Sequence, residues 1–138
     1  MSKDLEEGLK LNLDWKKLEK AAASSSGLIP VAVQHIESKE IILIAYINHQ
    51  AFEESLKRKI LVLWSTSRNE LWIKGESSGH TFDLLEAYVN CEQNSLLFVV
   101  RPTKGGICHT TNANGDPRNC YYRRINLDDG TLLENMDP

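Results

Sequence analysis

Long apolar runs are missing from the 138-residue sequence. A membrane-spanning helix needs about 20 consecutive apolar residues, so no such span is expected. The opening residues 1–10, MSKDLEEGLK, mix charges without an apolar core and do not read as a secretory signal. Cysteine is scarce: Cys91, Cys108 and Cys120 are the three in the chain. An odd number cannot close a disulfide framework, and without an export signal the expectation is a reduced, cytoplasmic protein. Excess charge is also missing, because 16 Lys+Arg face 19 Asp+Glu for a net charge of −3. That balance gives no general field for nucleic acid. There is no C-x-x-C, no phosphate-binding Walker loop, no G-x-G-x-x-G and no H-E-x-x-H.

What is present is ordinary globular composition, with 41% apolar and 25% charged residues. The length suits one domain with a real core and leaves no room for a second catalytic domain. Residues 1–27 are read as a helical N-terminal extension, with a short helix from Asp14 to Ala23 capped by Asp14. Residues 28–126 are read as the folded domain and 127–138 as a tail. Val31–Ile36 has an imperfect strand pattern, and Ile41–Ile47 (IILIAYI) reads as a strand buried on both faces. Asn48 suits the cap of a helix from His49 to Lys59, with Phe52 and Leu56 on one face. Ile60–Trp64 and Glu70–Lys74 are the next strands. Thr81–Cys91 and Ser95–Arg101 make a hairpin across Glu92-Gln93-Asn94. Cys120–Asn126 resumes strand character, and Asp128-Asp129-Gly130 turns the chain. The expected class is a strand-rich α+β fold rather than a doubly wound parallel sheet.

The least regular stretch is Pro102–Asn119, which holds three of the eight glycines and two of the four prolines. Long loops of this kind are usually functional or disordered. Cys108 lies inside it, Cys120 closes it and Cys91 ends a strand. Free cysteines are often small apolar core residues. Three thiolates with an open fourth position also match catalytic zinc. His109, beside Cys108, is either a general base near an activated water or a loop histidine bonded to backbone. His35-Ile36-Glu37 is half of a zinc-deaminase signature whose other half is absent, so these read as ordinary strand residues.

Lys74-Gly75-Glu76-Ser77-Ser78-Gly79, with Arg68 upstream, offers a cation, hydroxyls and glycines to a phosphate, and reads equally as a solvated turn. Trp64 and Trp72 flank it as core anchors or as a border to a base-binding pocket. Asn90, Glu92 and Asn94 share one face of an extended strand and offer oxygen to a hard cation. Only Glu92 is charged, so a plain hairpin turn reads at least as well.

Taken in order, LIAYIN at Leu43–Asn48, LWSTSRNELWIKGESSG at Leu63–Gly79, NCEQNSLL at Asn90–Leu97, GGICHT at Gly105–Thr110 and NCYY at Asn119–Tyr122 resemble the phosphoribosyl-AMP cyclohydrolases of histidine biosynthesis. The resemblance covers about residues 29–125. It implies an intertwined homodimer with shared active sites and hydrolytic opening of the adenine ring of 1-(5-phosphoribosyl)-AMP at the C6–N1 bond. It implies zinc on Cys91, Cys108 and Cys120, His109 moving protons, and Arg68, Trp72, Lys74, Glu76, Ser77 and Ser78 binding the phosphorylated nucleotide. It also implies magnesium at Asn90, Glu92 and Asn94.

The chain departs from the family pattern at two places. The usual D-C-D-x-D segment is Asn90-Cys91-Glu92-Gln93-Asn94, which should weaken or abolish magnesium binding. Residues 109–119 separate the last two cysteines, a longer span than usual, with Thr111 where a glycine is common. The departures keep two other readings open: a same-fold hydrolase of a different purine or heterocycle, and a non-catalytic paralogue that binds zinc or nucleotide. Retention of His109 beside the three cysteines argues against the second of these.

Overall fold

The structure is a computed structural model and describes residues 3–13, 15, 27–77, 79–103, 108 and 110–138. The helix expected from Asp14 to Ala23 lies outside these residues except at Trp15. The described elements are α1 (Lys3–Glu7), β1 (Ile29–His35), β2 (Ile41–Ile47), α2 (His49–Arg58), β3 (Val62–Ser65), β4 (Glu70–Ile73), β5 (Phe82–Val89), β6 (Leu96–Pro102), β7 (Arg123–Ile125) and β8 (Leu133–Asn135). They form a strand-rich α+β fold. The chain divides into two compact units, residues 16–104 and residues 1–15 with 105–138. The expected cuts at 27 and 126 follow chain order, whereas this division groups the two ends of the chain.

The first unit is a six-stranded sheet of order β4-β3-β2-β1-β6-β5. Only β1 and β6 pair in parallel; the other neighbours are antiparallel. A bridge between Ile60 and Asp83 joins the segment entering β3 to β5, the strand at the far edge. Leu61 N–H donates to Phe82 O at 2.8 Å and Leu84 N–H to Lys59 O at 2.9 Å, so the sheet curls back on itself. Inside the curl lie Val31, Val33, Ile42, Leu61, Leu63, Phe82 and Phe98, all fully buried.

Two bulges set which side chains enter this core. Val33 faces Leu43 and Gln34 faces Ile41, so Ile42 is the extra residue on β2. A bulge breaks the alternation of faces, and the adjacent Ile42 and Leu43 are both buried. The expected burial of β2 on both faces is corrected accordingly, since Ile41 and Ile44 are exposed. On β5 the extra residue is Leu85, between the pairs Leu84–Val100 and Glu86–Val99. Beyond it Leu85, Tyr88 and Val89 are exposed.

Asn48 caps α2 as expected, its Oδ1 accepting from Ala51 N–H at 2.8 Å. The buried face differs from expectation. Ala51 and Ser55 are fully buried, whereas Leu56 is exposed. The small side chains let the helix approach β3 closely. Ser55 Oγ donates to Val62 O at 2.9 Å and accepts from Val62 N–H at 3.1 Å. Beside α2, β2 and β3 make a single ladder pair, Tyr46 with Trp64, and the serine serves the backbone instead.

The second unit has little regular structure. β7 and β8 pair antiparallel, so the expected tail returns as a strand. Lys10 bridges Leu132, with Leu11 N–H on Thr131 O and Leu133 N–H on Leu9 O, both at 2.8 Å. Side chains supply the rest. Arg118 is buried, with Nε donating to Asp137 O at 2.8 Å and Nη1 to Glu7 Oε1 at 3.2 Å. Its guanidinium lies over the Tyr122 ring, 4.5 Å from the centroid. Tyr122 Oη donates to Glu6 O at 2.6 Å, and Arg123 Nη1 to Gly8 O at 2.9 Å.

Candidate functional site

The three cysteines are free thiols placed at turns. Cys91 stands in the β5–β6 turn of the sheet unit; Cys108 and Cys120 belong to the other unit. Among the described residues, no three His, Cys, Asp or Glu side chains form a ligand group within the structure. His109 and Ser78 lie outside the described residues.

The stretch that carries Cys108 reads from sequence as an irregular loop, but its described part is a small hairpin. Cys108 N–H donates to Arg118 O at 2.8 Å, and Arg118 N–H to Thr110 O at 3.1 Å. Thr111 bridges Pro117. At the tip, Asn112 Oδ1 accepts from Asn114 and Asp116 N–H, both at 3.0 Å. Asn112 Nδ2 donates to Asp137 Oδ1 at 3.1 Å, and Ala113 N–H to Pro138 O at 3.2 Å. The insertion is thus anchored to the end of the chain, which no local pattern foretold.

Cys108 Sγ lies 3.1 Å from Thr110 Oγ1, a hydroxyl that can donate to a thiolate. Cys120 reaches solvent, yet the protein packed around it pushes its thiol pKa up. The charge of Cys108 pushes the same way, the Arg123 cation opposes it, and Glu6 adds a smaller upward push. Two thiols whose charges would repel suit a divalent cation, which removes that repulsion when they ionise. The donor set therefore fits zinc, for which thiolates are preferred ligands.

The expected substrate-binding residues lie around β4. Arg68 is exposed in the β3–β4 turn, where Nε is 3.6 Å from Glu70 Oε1 and its N–H donates to Ser65 Oγ at 3.2 Å. Trp72, opposite Leu63 on β4, is half-buried. Trp64 buries its indole N–H with no acceptor among the described residues. Lys74 is half-buried just past β4, and Glu76 and Ser77 are exposed in the same turn. Gly75 holds that turn at φ +82°, and a Cβ there would come within 2.2 Å of His80 O. Only glycine fits. Arg68 and Lys74 therefore stand at opposite ends of β4, whose four residues span on the order of 10 Å. They do not form one cluster.

Asn90, Glu92 and Asn94 do share one turn. Asn90 Nδ2 donates to Asn94 Oδ1 at 2.6 Å, while Asn90 Oδ1 accepts from Asn94 and Ser95 N–H at 2.9 Å each. Sequence reasoning named these residues but not their bonds to one another. Two asparagines four apart across a turn were the available signal. His35, half of the deaminase-like pair, also serves a turn, its Nδ1 accepting from Glu37 N–H at 3.1 Å.

The family model for phosphoribosyl-AMP cyclohydrolase matches residues 43–122, a span containing all three cysteines. A phosphoribosyl-AMP cyclohydrolase from Ruegeria sp. (strain TM1040) is 40% identical over 115 residues, covering 83% of each chain. One from Salinibacter ruber is 40% identical over 113 residues, covering 82% of this chain and 84% of its own. One from Archaeoglobus fulgidus is 40% identical over 103 residues, covering 75% and 90%. Fold and matches together define a hydrolase of the kind that acts on carbon–nitrogen bonds. The chain belongs to the phosphoribosyl-AMP cyclohydrolase family, which serves histidine biosynthesis.

Proposed function

We propose that this chain opens the adenine ring of 1-(5-phosphoribosyl)-AMP by hydrolysis of the C6–N1 bond, with zinc held by Cys91, Cys108 and Cys120. The observation that carries this reading is the family match over residues 43–122, a span that contains Cys91, Cys108 and Cys120. Bound zinc supplies the acidity that makes water nucleophilic at neutral pH. Thr110 steadies the Cys108 sulfur through its hydroxyl. His109, next in the chain, takes the proton that the attacking water gives up and returns it to N1 as the C6–N1 bond breaks.

The substrate carries two phosphates at separate ends. Arg68 and Lys74, divided by the length of β4, suit two such anions better than one. Ser77, Ser78 and Glu76 add polar groups to the same substrate-binding set, and Trp72 borders the base. A homodimer with shared active sites is part of the same reading. Leu85, Tyr88 and Val89 are exposed apolar side chains on the two faces of β5, surface that a second copy of the chain could cover. A cytoplasmic location belongs to the same reading. Among the described residues no helix is long and apolar enough to cross a membrane.

The test is turnover of phosphoribosyl-AMP by the zinc-loaded protein, followed by ultraviolet absorbance. Cys108→Ala should abolish turnover together with tight zinc binding. His109→Ala should keep the zinc and lower kcat by about 10²–10⁴-fold. A zinc-loaded protein that leaves phosphoribosyl-AMP unchanged would refute the assignment and point to another heterocycle.

A further inference from the structure

The β5–β6 turn carries Cys91 and closes on its own amides. Asn90 N–H donates to Ser95 O at 3.2 Å and Gln93 N–H to Asn90 O at 3.0 Å. Gln93 takes the left-handed φ of +56° that the reversal requires. Across the turn lie the three Asn90 side-chain bonds, two accepted by Oδ1 and one donated by Nδ2 to Asn94 Oδ1. A carboxamide oxygen has two acceptor sites, so that of Asn90 is fully used. The exposed Glu92 is the turn's one carboxylate. Magnesium requires an octahedral set of oxygens and leans on carboxylates. These residues do not fit it.

A carboxylate at either position alone still allows a direct bond, because the remaining asparagine can donate its NH₂. Carboxylates at both positions would face each other across a gap of 2.6 Å with no donor between them. Two such groups cannot both ionise without a proton or a cation. The neutral asparagine pair removes that need.

We propose that the Asn90–Asn94 amide clasp, rather than a divalent cation, holds the turn that presents Cys91. Asn90 is then a positioning residue that acts through the backbone of the turn. The part concerning Cys91 as a ligand rests on the zinc reading above; the part concerning the clasp does not.

Hydrogen exchange at the Asn94 and Ser95 amides of the full-length, metal-free protein tests the clasp directly. In the unaltered chain both amides should be protected to the same degree with and without magnesium chloride. Asn90→Ala should lose that protection by about tenfold. The double variant Asn90→Asp with Asn94→Asp should lose it without magnesium and regain it with magnesium, while either single aspartate keeps it. Cobalt(II) titration, read by thiolate-to-metal charge-transfer absorbance, tests the positioning role. Asn90→Ala should weaken cobalt about tenfold, and the double variant should bind it tightly only with magnesium present.

Magnesium-enhanced protection in the unaltered chain would overturn the proposal, as would full protection in Asn90→Ala or a double variant indifferent to magnesium. Unchanged cobalt affinity in Asn90→Ala would overturn the positioning role. Failure of the unaltered protein to bind cobalt would count against the zinc reading, while the exchange results still decide the clasp.

Discussion

In the sheet unit the backbone bonds to itself and the side chains bury carbon. In the unit built from residues 1–15 and 105–138, short backbone pairings are tied together by side chains that bond to backbone. The contrast is visible in the buried residues. Among those described, the buried apolar side chains of the second unit are Tyr122 and Leu133, whereas the sheet unit has a continuous set from Val31 to Val100. The second unit instead buries the Arg118 cation between Glu7, a backbone carbonyl and an aromatic face. A sheet core tolerates a lost polar contact and suffers from a lost methylene; a polar core does the reverse. The cysteines divide along the same line, with Cys91 on a turn of the ladder-held unit and the other two in the unit held by side chains.

The largest break in this contrast should come from Phe98→Ala. Phe98 is fully buried in β6, between β1 and β5. Truncation should cost about 3–5 kcal/mol, measured by urea unfolding with circular dichroism. A loss below about 1 kcal/mol would mean that burial there is not what holds the sheet.

Arg118→Met comes next. It keeps most of the apolar stem and removes the guanidinium, leaving Asp137 O and Glu7 unpartnered. The expected loss is about 1–3 kcal/mol, discounted toward the lower end because Glu7 is partly solvated. Hydrogen exchange should quicken in residues 5–13 and 130–138 and stay unchanged in β1, β2 and β6. Equal quickening in both units would erase the distinction between them.

The smallest effect concerns the turn before β8. Asp129 Oδ1 accepts from Thr131 Oγ1 at 2.6 Å and from Thr131 N–H at 3.1 Å, and these bonds hold its carboxyl below the ordinary value of 3.8. A lowered carboxylate pKa adds stability that is complete above the unfolded value and is lost as pH falls through the folded one. An NMR titration should place the Asp129 midpoint below 3.8, and Thr131→Val should move it upward. An unmoved midpoint in Thr131→Val would remove the hydroxyl as the cause.

The sheet unit was largely legible because its signals are local. The apolar run 41–47 gave β2 its bounds, and Asn48 with the charge order of its helix located α2. The bulges at Ile42 and Leu85 were not legible, because a bulge depends on the partner strand's register. The inward turn of Ser55 was missed because Phe52 and Leu56 are the more apolar pair, and the choice was made by the unpaired backbone of Val62. In the second unit the burial of Arg118 depends partly on Glu7, more than a hundred positions away in the chain, and the return of Leu133–Asn135 as β8 depends on its pairing with β7. Of the candidate site, motif order identified the three cysteines and the family, whereas the Asn90–Asn94 pairing needed three-dimensional distances.

The pairing of Lys10 with Leu132 carries a consequence for the order of events during synthesis. A ribosome releases residues 16–104 well before residues 105–138, so the sheet is free to form while the second unit still lacks most of its chain. The opening segment must wait for Thr131 and Leu133 before its backbone finds partners. The hairpin bearing Cys108 waits longer still, for Asp137 and Pro138. The Cys108 hairpin is therefore complete only after the sheet has had its chance to form.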